Sequence, residues 1–506
     1  MLQTDNISAL TAEIKRLVMD DRGSKLKREM QTGIDYYEGK HDIANYRLFY
    51  FNNEGELVEE KNRSNTRIAH QYFTELVDQK VQYLLSNPIE IATEQAGLQE
   101  YLDEYINEDF QLMLQELVEG ASQKAYEYVF WRKDADGYLR FKTADALKII
   151  PIYDEFYNID QIIYYYDDQI VKNNKQKTVT KIQLWTKEEV FYFIQEDSQA
   201  VKFKLDASVE FNPRSHILAQ KGEGKFGKGY GRVPYICLYN NRSKTNDLRP
   251  IKDIIDDYDM MACALSNNLI DFDHPIYAVR GYEGDNLSSL VTNLKTKKTV
   301  GVGENGGIDV ITTNIPVEAR KAKLEIDKEA IYKFGMGFDS SQTGDGNITN
   351  VVIKSRYSLL DLKCNKIEVR LRAVIKEMLQ LIVENINELH GKAYDVSDLE
   401  VTITRDVMAN ETDNASIAKT EAETNQVLIN NIMTAAPRLD DRTVLELLAG
   451  ILEVDPDEVE KALEEQGYQS DFNQVTEVID DGAEQVPAGN REPAAESGQS
   501  DGQTAL

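Results

Sequence analysis

Apolar positions recur at helical spacing along much of this chain. Ile251, Ile254, Ile255, Tyr258, Met261, Leu265, Leu269 and Phe272 mark one stretch, roughly 33 Å long at ~1.5 Å per residue. It stops before His274-Pro275, because proline cannot continue a helix. A second stretch begins at Pro316, a favoured first helical position, and places Ala319, Ala322, Ile326, Ala330 and Phe334 on one face. Gly335 and Gly337 then break it. A Gly-rich β insert separates the two, and a loop of small polar residues leads from the second into one long helix ending near His390. Two comparable helices joined by a compact insert form a stalk with a tip, a shape suited to packing beside copies of itself.

Upstream, the pattern to about Gly120 is helical. Ile68, Tyr72, Leu76, Val77, Val81 and Leu84 form a stripe stopped by Asn87-Pro88, and Leu98 to Leu117 repeats it. From Tyr126 to about Tyr239 the period shortens. Tyr138 to Phe141, Ile162 to Tyr166, Ile182 to Trp185 and Val190 to Ile194 read as strands, with turns at Asp134 to Gly137 and Lys172 to Lys175. The fold class is α+β, and most of the tyrosines belong to sheet and core rather than to base stacking.

Charge narrows the partners. With 57 Lys+Arg against 87 Asp+Glu the net charge is −30 over 506 residues, which argues against tight wrapping of nucleic acid but not against its passage. Cys237, Cys263 and Cys364 are far apart, without metal-site spacing, and fit buried thiols in a reducing cytoplasm. No apolar run approaches the ~18 residues of a membrane span, and Met1 to Asn6 has no signal-peptide character. Beyond about Gln469, Gly, Ser, Asp, Glu, Gln and Pro dominate, the composition of a disordered acidic tail.

Candidate chemistry is sparse. Gly222, Gly224 and Gly227 fit G-x-G-x-x-G, as do Gly301, Gly303 and Gly306, but each set precedes a strand where a nucleotide loop needs a helix. Asn305-Gly306 reads instead as a hairpin turn. Asp253, Asp256 and Asp257 are the residues a metal-dependent nucleic-acid enzyme would use, and that is the alternative function. Against it, acidic residues in a helix's first turns complement its dipole. The five histidines, His41, His70, His216, His274 and His390, pair with no evident nucleophile. No catalytic, cofactor or metal residue is assigned.

Several segments, in order, resemble the portal proteins of tailed double-stranded-DNA bacteriophages, of the type found in long-tailed phages of Gram-positive bacteria. They are Gly33-Ile-Asp-Tyr-Tyr37 with His41-Asp-Ile43; Asn65-Thr-Arg67, His70 and Leu76-Val-Asp-Gln-Lys-Val-Gln-Tyr-Leu84; and Gly229-Tyr-Gly-Arg-Val-Pro234 through Asn240-Asn241 to Asp247-Leu248 and Ile251 to Asp259. Ser358-Leu-Leu-Asp-Leu-Lys363 and Val401-Thr-Ile-Thr-Arg405 complete the set. The resemblance implies a multi-subdomain fold: a wing over 1–249, helical and then β-rich; stem helices at 250–272 and 316–336 around a small α/β clip at 273–315; and a tunnel loop at 337–349. A long wing helix and strand over 350–405, an α-helical crown over 406–468 and the acidic tail at 469–506 follow.

It further implies a non-enzymatic ring of about twelve subunits at one capsid vertex, the channel for packaging and ejecting DNA. Terminase, major capsid and scaffolding proteins and a head-tail connector are the implied partners, with no membrane; assembly would take place in the host bacterial cytoplasm. Asp339, Ser340, Gln342, Thr343, Gly344, Asp345, Gly346 and Asn347 would form the tunnel loop against DNA. Lys321 and Lys328, one heptad apart, would face the channel, a neighbouring subunit's carboxylates or solvent.

Overall fold

The computed structural model describes residues 6–61, 63–172, 174–196, 203–221, 224–272, 276–282, 288, 302–311, 315–339, 350–405, 411–452 and 454–465. The chain divides into two compact units, Met1–Asn347 with Val351–Met408, and Ile348–Asn350 with Ala409–Leu506.

The first unit opens with α1 (Ile7–Arg22) and α2 (Lys25–Tyr37), whose free N-terminal amides are capped by the side chains of Asn6 and Ser24. A short antiparallel hairpin follows, β1 (Phe49–Phe51) and β2 (Leu57–Glu59). The expected stripe from Ile68 becomes α3 (Tyr72–Leu84), four residues shorter, because the chain before it is extended along another helix. Next come β3 (Glu90–Ala92), α4 (Leu98–Tyr105) and α5 (Glu108–Lys124). The single repeat expected over Leu98 to Leu117 is thus two helices. Asn107 divides them, its side-chain oxygen accepting from Phe110 N at 3.1 Å and starting α5.

The β-rich stretch holds β4 (Tyr126–Lys133), β5 (Leu139–Ala144), β6 (Ile149–Tyr153), β7 (Ile159–Lys172), β8 (Lys175–Trp185) and β9 (Glu189–Gln195). Short strands β10 (Lys204–Leu205), β11 (Arg214–Ser215), β12 (Ile217–Lys221), β13 (Gly224–Lys228) and β14 (Tyr235–Tyr239) complete it. One sheet runs β10-β9-β8-β7-β6 with β11 on β9, a second β14-β4-β5, and β12 pairs with β13. All the ladders are antiparallel, as the alternating aromatic and β-branched runs predict. Tyr126, Tyr128, Tyr165 and Tyr235 are buried, consistent with a structural use of these rings.

Then come α6 (Lys252–Phe272), the antiparallel pair β15 (Ile276–Tyr282) and β16 (Val302–Ile311), α7 (Val317–Gly335), α8 (Asn350–His390) and β17 (Glu400–Thr402), which pairs with β3. One expectation fails here. Asn305-Gly306 is not a hairpin turn but lies inside β16, where the register slips between the Arg280–Gly307 and Tyr282–Val302 pairs. Their turn propensity is absorbed by this irregularity in the strand. Gly224 and Gly227 lie in β13, and Gly303 and Gly306 in β16; they sit inside paired strands, not in a loop between a strand and a helix as a phosphate loop would require. Gly222 and Gly301 lie outside the described residues.

α8 is the spine of this unit. Leu360, Cys364, Ile367, Leu371, Ile375, Met378, Ile382 and Ile386 are buried at helical spacing and join Leu76, Val77, Leu84, Leu114, Leu117 and Val118 in one core. The second unit holds α9 (Glu411–Ala435), α10 (Asp441–Leu452) and α11 (Pro456–Glu465). These helices fall within the stretch 406–468 expected to be helical. Pro456 starts α11 as a helix separate from α10, since its ring lacks the N–H that a continuous helix would need there. The tail beyond Glu465 lies outside the described residues, as does most of 273–315.

Candidate functional site

The chain leaving α7 is held at several points. Gly337 N donates to Tyr332 O at 3.0 Å, and Met336 takes the left-handed conformation, φ 56°. α7 ends at Gly335, as the glycines led one to expect, and the flanking glycines serve a packing purpose as well. A Cβ on Gly335 would lie 2.6 Å from Leu76 Cδ1, and one on Gly337 2.2 Å from Leu76 Cδ2, so α7 can end tight against α3 only with glycine there. Gln79 then grips Phe338 at both backbone groups, donating to its carbonyl at 2.9 Å and accepting from its N–H at 3.2 Å. The Phe338 ring lies 4.5 Å from that of Tyr357 on α8. Asp339 pairs with Lys328 at 2.7 Å, raising the Lys328 ammonium above its ordinary value through this hydrogen bond.

Two of the expected site residues, Lys328 and Asp339, are therefore brought together in one subunit. Lys321 is exposed and pairs with Glu318 at 3.3 Å. Ser340, Gln342, Thr343, Gly344, Asp345, Gly346 and Asn347 lie outside the described residues.

Behind this root lies a buried charge cluster. Lys80 Nζ donates to Asp247 Oδ2 at 2.9 Å, Asn240 Oδ1 at 2.6 Å and Ser122 Oγ at 2.9 Å. Lys363 of α8 lies 3.3 Å from the same carboxylate and donates to Gly335 O at 2.9 Å, a cation placed at the negative end of α7. Burial alone would raise the Asp247 carboxyl. The charges of Lys363 and Lys80, with hydrogen bonds from Asn240 and Lys80, hold it far below the usual carboxylate range. One carboxylate thus ties α3, α8 and the entry to α6 to the end of α7.

α6 is fixed by a second device. Ser64, Thr66, Ile68 and His70 donate alternate backbone N–H groups to Asp271 Oδ1 (3.1 Å), Asn267 Oδ1 (2.7 Å), Cys263 Sγ (3.2 Å) and Asp259 Oδ1 (2.9 Å). The match is geometric. Two residues of extended chain advance ~6.6 Å and four of helix ~6.0 Å, so every second amide meets every fourth side chain. At one end, fully buried Asp259 also receives His41 Nδ1 and His70 Nδ1, each at 2.7 Å, while His41 Nε2 faces Tyr36 O at 3.2 Å. Only the imidazolium form of His41 donates to both acceptors. Desolvation works against the Asp259 carboxylate, but the His41 and His70 hydrogen bonds outweigh it and hold its pKa below the ordinary value.

The other acidic residues of α6 are engaged separately. Asp256 accepts from Lys252 at 2.7 Å and from the Tyr36 hydroxyl, and Asp257 pairs with Lys323 of α7 at 2.5 Å. Asp253 is exposed on the helix's first turn. Cations therefore occupy Asp256 and Asp257, two of the three carboxylates that an alternative metal site would need, and no cluster of metal-ligating side chains exists among the described residues. No helix among them is long and apolar enough to cross a membrane.

Reading the sequence missed Gln79, Lys80, Asp247 and Lys363. Lys80 carried a usable signal, since it interrupts the apolar face Phe73, Leu76, Val77, Val81, Leu84 and so had to find an anion inside. Asp247 lies in a loop and offered none.

Residues 18–471 match the family described as "Phage portal protein, SPP1 Gp6-like". A protein named "Portal protein" from Bacillus phage SPP1 is 29% identical over 399 residues, covering 78% of this chain and 76% of that one. Another "Portal protein", from Clostridium phage phiCD119, is 26% identical over 411 residues, covering 78% and 86%.

Proposed function

The chain belongs to the SPP1 Gp6-like family of phage portal proteins, and from this premise we propose how its parts serve that role. As a portal protein it is a structural component of the virion, not an enzyme; it forms an oligomeric ring and provides the channel for DNA packaging. The single observation that carries the reading is the family match, continuous over 18–471.

In the finer reading the ring has about twelve subunits. Residues 250–272 and 316–336 are its stem, 273–315 its clip, 1–249 and 350–405 its wing, and 406–468 its crown. Terminase supplies the ATP-driven force, and a head-tail connector and the capsid and scaffolding proteins dock on the ring, assembled in the host bacterial cytoplasm. Residues 337–349 are the tunnel loop that meets DNA.

Support for a working loop comes from its root. Gln79, Tyr357, Lys328 and Lys363 fix the chain as far as Asp339, so movement in the loop would begin beyond Asp339 while the stem end stays in place. Gly344 and Gly346 supply backbone freedom there. Prolines at both positions are expected to leave ring formation intact and to reduce packaged DNA per particle, compared by electron microscopy and by nuclease-protected DNA. Normal packaging in that variant would contradict the moving-loop mechanism. Failed ring assembly would show that the segment is a structural joint.

A further inference from the structure

The β1–β2 hairpin is well built yet buries none of its six strand residues. Asn52 organises its turn, its side-chain oxygen accepting from Glu54 N at 3.0 Å and Glu56 N at 2.8 Å, with Gly55 at φ +80°. The register Phe49–Glu59 and Phe51–Leu57 puts Phe49, Phe51 and Leu57 on one face, and they are 56%, 73% and 60% exposed. An isolated two-stranded hairpin is marginal in water, and an aromatic face of this kind calls for a covering surface.

A matching surface exists on α8. Leu362, Lys366, Val369, Ala373 and Lys376 follow one another at alternating steps of four and three residues along its exposed side, with Leu362 53% and Val369 70% exposed. Lys366 and Lys376 have no carboxylate within ion-pair reach among the described residues. The turn of the hairpin carries exposed Glu54 and Glu56, so its tip is acidic where the α8 stripe is basic, while Glu59, opposite Phe49, pairs with Arg47 at 3.6 Å.

We propose that the β1–β2 hairpin of one subunit docks on the Leu362–Lys376 stripe of α8 in a second copy of this chain, forming a lateral contact of the ring. The inference rests on the portal reading, which supplies the copies. A closed ring needs two different, mutually complementary patches on every subunit, and this pair is complementary in both polarity and charge. The charge match selects the occupant. Copies carrying a net charge of −30 repel one another over most of their surface, and a basic stripe is where an acidic-rimmed element can approach without that penalty.

The test uses full-length protein carrying Phe51→Cys and Val369→Cys. Mild oxidation of assembled particles should give a ladder of covalent multimers on a non-reducing gel, absent from either single variant. In parallel, Lys366→Glu with Lys376→Glu should reduce the fraction of protein in rings by about tenfold or more, and adding Glu54→Lys with Glu56→Lys should restore it. Rescue separates a broken contact from a misfolded chain. Rings that form without the ladder and tolerate the charge reversal would overturn the contact while leaving the portal reading intact. So would intact rings that have lost only packaged DNA, which would assign the stripe to nucleic acid. A wild-type chain that forms no rings would instead remove the premise.

Discussion

Replacing Asp247 with alanine is expected to lower stability by ~3–5 kcal/mol, because it leaves buried Lys80 and Lys363 facing each other with no anion between them. The loss should appear as a lower denaturation midpoint with little change in slope. Lys80→Met is expected to cost less, since Asp247 keeps Lys363, 3.3 Å away, and its hydrogen bond from Asn240 at 2.8 Å. Asp247 also gives the wild type an acid-sensitive term. Its folded-state pKa lies below its unfolded value, so the stability it contributes is fully present above the ordinary carboxylate pKa of ~3.9 and is lost as pH falls below it. The Asp247→Ala protein should therefore lose less of its remaining stability between neutral and acid pH. Equal acid sensitivity in the two proteins would show that the cluster is not what holds the end of α7.

Asp259→Ala is expected to cost about 3 kcal/mol, from the loss of one buried and two partly buried hydrogen bonds and of the anion beside His41. Asp259→Asn should be milder. Its oxygen can keep both His70 contacts, while its amide can donate to His41 Nδ1 if that ring becomes neutral and retains a hydrogen on Nε2 for Tyr36 O. The same sign holds for pH, because the Asp259 pKa is depressed in the folded state: the wild type loses this contribution as pH falls through the folded pKa, and the asparagine variant has none to lose. Imidazole nitrogen chemical shifts of His41 in the two proteins would report the change of form. Identical imidazole nitrogen shifts in the two proteins would rule out this change of His41 donor pattern.

Both devices explain how far the sequence could be read. Long amphipathic stretches declare themselves, so α6, α7 and α8 lie close to where the apolar spacing puts them. A boundary set by a single polar contact does not: Asn107 splits the expected Leu98 to Leu117 stretch into two helices. Ile68 has the right spacing for α3 but belongs to the extended strap along α6, because its N–H is bound by Cys263, a partner 195 residues away. The acidic run of α6 suggested either a dipole effect or a metal site. Farther along the same helix Asp259, Cys263, Asn267 and Asp271, four residues apart, form a row of acceptors for an extended segment that local reasoning cannot place. Glycines posed a similar problem. Gly335 and Gly337 do mark the end of α7, but the left-handed residue there is Met336, and the glycines also make room for Leu76.

The portal function itself was legible because it rests on ordered segments spread over the whole chain, which the family match spans. The candidate loop was legible only as a composition, Gly344 to Asn347 among small polar residues. What holds its root, Gln79 and Lys363 above all, comes from α3 and α8, far away in sequence, and only the fold brings them together.

The central claim is that this chain works as a ring with a channel. Electron-microscope class averages of the purified full-length protein test it most directly. Closed rings of about twelve subunits around an open centre are expected. Protein that stays monomeric at high concentration, and within proheads and virions, would contradict the account.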